Sequence, residues 1–174
     1  GVIACSAGNH AQGVALAATK NGIKSLICLP DGAPISKVEA TKSYGADICL
    51  VEGVYDDAYN RALQLRDEKG YTFVHPFDDD DVIAGQGTIG LEILNEMSDV
   101  DAVVGAIGGG GLMSGVACAI KNLNPNIKVY GVQAEGAPSM LESIKHGKPV
   151  CLDSVSTIAD GIQVKAAGEH TFKY

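Results

Sequence analysis

Short, continuous apolar runs recur along the chain. They cover residues 2–5, 25–29, 48–51, 72–74, 102–107 and 129–132, are rich in Val, Ile and Leu, and do not alternate with polar positions. Uninterrupted apolar runs of this length are typical of strands that are buried on both faces of a parallel sheet. The pattern therefore predicts a strand at each run.

Between the runs, apolar residues recur at spacings of three and four, as they do on one side of a helix. Residues 55–63 and 112–123 carry this stripe, and further helices are predicted over 11–20, 35–44, 82–97 and 138–145. Gly22, Gly45, Gly70 and Gly147 stand where such helices should end. Because strand and helix alternate throughout, the sequence predicts an α/β fold with open, mostly parallel sheets and helices on both faces.

The segment HPFDDDDVIAGQG interrupts this alternation. His75 and Pro76 end an apolar run, and a stretch of like charge follows at residues 78–81. We interpret the acidic stretch as a solvated loop whose last member, Asp81, caps the next helix. This loop is the predicted domain boundary. It divides the chain into a small α/β subdomain over residues 1–78 and part of a larger α/β subdomain over residues 79–174.

Composition narrows the class of protein. Of the 174 residues, 46% are hydrophobic, which is enough for a packed core, and the net charge of -8 disfavours binding to nucleic acid or to an anionic membrane. The five cysteines form no CxxC pair, and no segment resembles a signal peptide or a membrane span. Free thiols of this kind predict a reducing, cytoplasmic location.

Four consecutive glycines, Gly108 to Gly111, lie between a predicted strand and a predicted helix; we name them the glycine loop. Glycines leave the backbone free of side chains, and the first turn of a helix leaves N–H groups unpaired, so the loop is suited to a phosphate. A G-x-G-x-x-G fingerprint fails because Met113 or Ser114 occupies its last position, and the Gly-Lys-Ser/Thr of a P-loop is absent. The phosphate is therefore expected to belong to a ligand other than a dinucleotide or a nucleoside triphosphate.

The segment SAGNHAQG, residues 6–13, is a second junction of strand and helix, which we name the asparagine loop. Ser6 provides a hydroxyl, Asn9 provides an amide that both donates and accepts, and the glycines let a ligand approach the backbone. No Ser-His-Asp or Cys-His set accompanies them, and His10 is interpreted as a structural hydrogen-bonding residue. The loop is suited to recognise a carboxylate together with a hydroxyl group on a flat ring.

The motifs SAGNHAQGVALAA, GQGTIGLEI, GGGGLMSG and TIADG, in this order, resemble those of the threonine dehydratase branch of the fold type II pyridoxal-phosphate enzymes. The resemblance covers the whole chain and implies pyridoxal 5'-phosphate as the cofactor. The implied cofactor-binding residues are Asn9, at the 3-hydroxyl of the ring, and the phosphate-binding residues Gly108, Gly109, Gly110, Gly111 and Leu112. The implied substrate-binding residues, which receive the substrate carboxylate largely through backbone N–H groups, are Ser6, Ala7, Gly8, Asn9 and His10.

The resemblance also implies a lysine that tethers the cofactor, in a Ser-Phe-Lys-x-Arg-Gly-like segment before the asparagine loop, and this chain has no such segment. Ser36 and Lys37 form a Ser-Lys pair, but it lies at a predicted helix start after the loop, and we interpret Lys37 as a surface residue. No catalytic residue is therefore assigned within the chain. The chain also begins without Met and stops within GEHTFKY, a run typical of the opening of a helix, so we expect a segment of a longer protein.

Two positions bear on the type of reaction. Serine racemases of the family carry a serine at the position of Ala7, and alanine cannot transfer a proton, so the resemblance implies an eliminating dehydratase. Racemases also build a divalent-metal site that Glu135 would begin, but Leu141 occupies the position of its last carboxylate, and no metal site is assigned.

The resemblance thus implies a lyase, a threonine ammonia-lyase that converts L-threonine, and also L-serine, to 2-oxobutanoate or pyruvate and ammonia. The full-length enzyme is expected to be a cytoplasmic homo-oligomer, a dimer or tetramer, in either isoleucine biosynthesis or threonine catabolism. A serine dehydratase or racemase of the same family remains open, as does a non-catalytic α/β domain that binds a phosphate-bearing ligand. Without the lysine, the chain alone is expected to be inactive.

Overall fold

The computed structural model describes residues 1–174, which form two compact units, Gly1–Pro76 and Phe77–Tyr174. Strand and helix alternate in both units, and every pairing between named strands is parallel. The predicted α/β class is therefore confirmed. The predicted small and large subdomains refer to a longer protein and stay a prediction.

The first unit is a parallel sheet with helices between its strands. Its elements are β1 (Val2–Cys5), α1 (Asn9–Lys20), β2 (Ser25–Pro30), α2 (Ile35–Ser43), β3 (Asp47–Val51), α3 (Tyr55–Lys69) and β4 (Thr72–Phe73). The strand order is β3-β2-β1-β4. Because β1 lies in the middle of this sheet, the loop that follows it emerges at the centre of the edge formed by the carboxyl ends of the strands.

Both faces of β1 and β2 are buried, which explains their uninterrupted apolar sequence. Successive side chains of a strand point to opposite faces. Ala4 and Ile27 pack on one face with residues of α1, and Ile3 and Leu26 pack on the other face with residues of α3. Full burial of an isoleucine side chain contributes about 1.5–3 kcal/mol, so these central strands anchor the unit.

The second unit contains α4 (Asp80–Glu96), β5 (Ala102–Ala106), α5 (Gly111–Leu123), β6 (Lys128–Val132) and α6 (Ser139–His146). Short 3-10 helices follow at Asp160–Ile162 and Thr171–Lys173, and β5 pairs with β6. Helices α4 and α5 approach closely at Gly115, where the absence of a side chain makes room for the backbone of α4. A Cβ atom on Gly115 would collide with the backbone of Ile83. No helix of the molecule has both the length and the apolar character needed to cross a membrane.

The expectation that all strands are buried on both faces is wrong for β5 and β6. Val103 and Val129 pack with residues of α5, but Val104 and Val132 on the opposite face are 64% and 52% exposed. The reason is that α5 covers one face of this two-stranded sheet, and no helix of the second unit buries those valines on the other.

One local expectation at a helix end is also corrected. The aspartate that caps α4 is Asp79, whose Oδ1 accepts the N–H groups of Asp81 at 2.9 Å and Val82 at 3.2 Å. Asp81 itself lies in the first turn. The run GEHTFKY carries a short 3-10 helix, Thr171–Lys173, and the expected opening of a longer helix there stays a prediction.

Candidate functional site

The glycine loop connects β5 to α5, and its backbone is buried at Gly109, Gly110 and Gly111. Gly110 is the N-cap of α5 and has φ +107°, a conformation that favours glycine. A Cβ atom on Gly110 would lie 2.8 Å from both Met140 Cε and Thr171 Cβ. This position therefore requires glycine for its backbone angle and for its packing.

Phe77 fills the space behind the rest of the loop. A Cβ atom on Gly109 would collide with the Phe77 ring, and one on Gly111 would lie 2.8 Å from the Phe77 backbone. The missing side chains thus face the interior of the protein rather than the side from which a ligand would approach. Glycine is required here because the protein packs tightly against the loop.

The backbone N–H groups of residues 108–113 donate to no oxygen within the protein. The donors on either side are paired, since Ile107 donates to the Val132 carbonyl and Ser114 to the Gly110 carbonyl. The first turn of α5 carries no acidic residue, and a helix N-terminus carries about half a positive charge. Unpaired, positively polarised donors on a helix start fit a phosphate group.

A hydrogen-bond network holds the inner side of the loop. The Gly109 carbonyl accepts from Thr171 Oγ1 at 2.6 Å and from the Gly168 N–H at 3.1 Å. The Asp78 carboxylate accepts the N–H groups of residues 169–171. Sequence reasoning missed this network and placed Asp78 in a solvated loop, because no local spacing connects residues that lie 62 to 93 positions apart.

The asparagine loop connects β1 to α1 in the first unit. Helix α1 begins at Asn9, two residues earlier than predicted, so Asn9 and His10 lie in its first turn. Ser6 Oγ accepts the N–H group of Gly8 at 3.1 Å, and the exposed side-chain amide of Asn9 makes no hydrogen bond within the protein. A Cβ atom on Gly8 would meet nothing within 4 Å, so the space beside this glycine is open.

The first turn of α1 also presents unpaired donors. Gln12 is the first residue whose N–H group bonds within the helix, to the Gly8 carbonyl at 3.4 Å. The N–H groups of residues 9–11 therefore have no intrahelical acceptor, and no acidic residue lies in this turn. These features fit a carboxylate, although the Gly8 N–H is already bonded to Ser6.

His10 connects the asparagine loop to the segment after β4. Its Nε2 lies 3.0 Å from the Val74 carbonyl oxygen. Because a carbonyl can only accept, Nε2 carries the proton and Nδ1 of the neutral ring is an acceptor. Burial lowers the pKa of His10 from its ordinary value, against the opposing effect of the Val74 carbonyl. This neutral, tethered imidazole agrees with the structural role expected for it.

Lys37 lies in the first turn of α2 and is half-buried rather than fully exposed. Its backbone N–H donates to the Pro34 carbonyl at 2.9 Å, so its backbone is part of the helix start.

No group of three or more His, Cys, Asp or Glu side chains is arranged to hold a metal ion.

Comparisons with known proteins agree on one family. A family model described as pyridoxal-phosphate dependent enzyme matches residues 1–174. The chain is 52% identical over 173 residues to the L-threonine ammonia-lyase of Thermotoga maritima, covering 99% of this chain and 43% of that protein. It also matches the solved structure of the processed form of threonine deaminase isoform 2 from Solanum lycopersicum, with a TM-score of 0.94, 45% identity, and coverage of 99% and 50%. Maize serine racemase matches with a TM-score of 0.94, 39% identity, and coverage of 99% and 52%. The chain spans about half the length of these proteins.

Proposed function

The chain belongs to the family of pyridoxal-phosphate dependent enzymes, and on that basis we propose that the complete protein is a threonine ammonia-lyase. It converts L-threonine to 2-oxobutanoate and ammonia, and L-serine to pyruvate and ammonia. The observation that carries this proposal is the 52% identity to an L-threonine ammonia-lyase across almost the whole chain. The unpaired donors of the glycine loop support it, since they offer a site for the cofactor phosphate.

The glycine loop holds the cofactor in this proposal. The backbone N–H groups of Gly108, Gly109, Gly110, Gly111 and Leu112 bind its phosphate, and the amide of Asn9 binds the 3-hydroxyl of its ring. Bound pyridoxal phosphate supplies an electron sink at the substrate α-carbon. The protein supplies position: Phe77 and Thr171 keep the loop rigid, and the dipole of α5 stabilises the phosphate charge.

The asparagine loop receives the substrate carboxylate. The unpaired N–H groups at the start of α1 bind its oxygens, and the hydroxyl of Ser6 retains a proton to donate while it accepts from Gly8. The participating residues are Ser6, Ala7, Gly8, Asn9 and His10. Because the methyl group of Ala7 carries no transferable proton, loss of the β-hydroxyl is favoured over racemisation.

Several further properties of the complete protein belong to the same proposal. A lysine outside this chain tethers the cofactor and removes the α-proton, so the chain alone is inactive. The protein is a cytoplasmic homo-oligomer, and residues 1–78 and 79–174 contribute to a small and a large subdomain. We assign the tethering role to a lysine other than Lys37, because Lys37 lies in the first turn of α2, after the asparagine loop rather than before it.

Serine racemase activity is the second candidate, because the likeness to maize serine racemase is as close in TM-score as that to the tomato deaminase. Ala7 argues against it. A non-catalytic domain that binds a phosphate-bearing ligand is a third candidate, and it rests on the absence of a tethering lysine from this chain.

The test is to express the complete reading frame that encodes this chain and to assay it with pyridoxal phosphate. We expect 2-oxobutanoate from L-threonine, pyruvate from L-serine, and no D-serine from L-serine. An Ala7→Ser variant serves as the control for the racemase alternative. Formation of D-serine by the unaltered protein at a rate comparable to pyruvate formation would favour the racemase, and absence of all three products would favour the non-catalytic alternative.

A further inference from the structure

We propose that Thr171 is a positioning residue for the glycine loop: its hydroxyl holds the Gly109 carbonyl and thereby aims the Gly110 N–H at the cofactor phosphate. This inference rests on the proposed function, because it assumes a phosphate at the loop. It concerns a buried residue 62 positions from Gly109 whose hydroxyl contacts the loop backbone.

The contact between Thr171 and the loop is short and buried. Thr171 Oγ1 lies 2.6 Å from the Gly109 carbonyl oxygen and 3.3 Å from that of Gly168, so its single proton is directed to Gly109. The Gly168 N–H lies 3.1 Å from both the Gly109 oxygen and Thr171 Oγ1. Thr171 is 3% exposed, and water therefore cannot replace the hydroxyl.

Peptide geometry transmits this contact to the other side of the loop. The Gly109 carbonyl and the Gly110 N–H belong to one planar peptide group, and in a trans peptide they point in opposite directions. The chain has no cis peptide bond. A carbonyl held on the inner side by Thr171 therefore directs the Gly110 N–H away from Thr171, where it finds no protein acceptor. Since both flanking residues are glycines, this peptide group could otherwise rotate at low cost.

Thr171 is itself fixed from two sides. The Asp78 carboxylate accepts the N–H groups of Glu169, His170 and Thr171 at 3.0, 2.7 and 3.2 Å. Hydrogen bonds to an ionised acceptor are stronger than neutral ones. Ser114 Oγ donates to the Thr171 carbonyl at 3.2 Å. The segment that carries the hydroxyl is thus held in place before any ligand arrives.

The test compares two ligands of the complete protein in its cofactor-free form. Pyridoxal phosphate and pyridoxal differ by the phosphate alone, so the ratio of their dissociation constants reports the contribution of the glycine loop. We expect Thr171→Val to lower this preference for the phosphorylated ligand about tenfold, as expected for one weakened hydrogen bond to a charged group. Thr171→Ser keeps the hydroxyl and should retain the preference of the unaltered protein.

Thr41→Val is the matched control. Thr41 is also buried, and its Oγ1 donates to the Lys37 carbonyl at 3.0 Å, but it belongs to the first unit, whereas the glycine loop belongs to the second. Both valine variants should lose comparable stability to urea, and only Thr171→Val should change the ratio. A proportional weakening of both ligands by Thr171→Val would reduce Thr171 to a structural role and overturn the inference.

The remaining outcomes separate this inference from the proposed function. If the unaltered protein binds both ligands equally, the assignment of the cofactor phosphate to the glycine loop is wrong. If the unaltered protein prefers pyridoxal phosphate and Thr171→Val leaves that preference unchanged, only the role of Thr171 is wrong. Should Thr171→Val fail to fold, Asp78→Asn replaces it, because it weakens the support of residues 169–171. Asp78→Asn should lower the preference by a smaller factor, and an unchanged preference would overturn the inference.

Discussion

Substituting alanine at Gly110 should destabilise the protein even when no cofactor is bound. The Cβ atom would lie 2.8 Å from Met140 Cε and Thr171 Cβ, on the interior side of the loop. The matched variant is Gly8→Ala in the asparagine loop, where φ is -128° and a Cβ atom meets nothing within 4 Å. Both substitutions add one methyl group. Gly110 lies in the loop that we assign to the cofactor phosphate, and Gly8 lies in the loop that we assign to the substrate carboxylate.

The expected loss of unfolding free energy in Gly110→Ala follows from two separate effects. A left-handed backbone costs a non-glycine residue about 1–2 kcal/mol, and overpacking a tight interior costs about 1–3 kcal/mol. Their sum is roughly 2–5 kcal/mol, a large part of the roughly 5–15 kcal/mol by which a typical domain is stable. At Gly8 neither effect operates, so the alanine variant should change the free energy of unfolding by less than about 1 kcal/mol.

The assay is urea unfolding of the cofactor-free complete protein, followed by titration with pyridoxal phosphate. We expect Gly110→Ala to lower the free energy of unfolding and cofactor affinity together. Gly8→Ala should leave stability intact and weaken ligand binding, because its methyl group occupies open space on the ligand side. If Gly110→Ala leaves the stability of the cofactor-free protein unchanged but abolishes cofactor binding, its Cβ atom lies in the phosphate site and our account of the loop is refuted.

Three further predictions concern pH, thiols and helix packing. Folding lowers the pKa of His10 from its ordinary value of 6.5, so the unfolded chain takes up the proton first as the pH falls. The free energy of unfolding, measured in urea, should therefore decrease below about pH 6.5. His10→Gln should make that decrease smaller. Burial raises the pKa of both Cys5 and Cys28 to about 12, so peptide mass spectrometry should find them unlabelled by iodoacetamide at pH 8 in the folded protein; their labelling before unfolding would contradict this. The thiols expected to react are the exposed Cys118 and Cys151. Gly115→Ala should destabilise by about 1–3 kcal/mol because its Cβ atom meets the backbone of α4, whereas Gly85→Ala, which meets nothing, should stabilise by about 0.5–1 kcal/mol in the same urea assay.

The fold could be predicted from the local sequence pattern for strands that are buried on both faces. The apolar runs of β1 and β2 correspond to strands whose two faces both pack against helices, so period and composition were sufficient. The same reasoning misjudged β5 and β6, where Val104 and Val132 are exposed although the sequence is equally apolar. An apolar run shows that a strand is compatible with burial on both faces. Whether each face is buried depends on the elements that pack against it.

The candidate site shows a similar division between local and distant information. The glycine loop and the asparagine loop were visible in sequence because each joins a strand to a helix within a few residues. The reason for the glycines was not visible, because it depends on Phe77 and on Thr171, which lie far from the loop in sequence. A phosphate-binding loop of four glycines would be flexible by itself, and ordering it on binding would weaken affinity. Packing by Phe77 and the hydroxyl of Thr171 order it beforehand, so the loop combines a backbone free of side chains with a rigid set of donors.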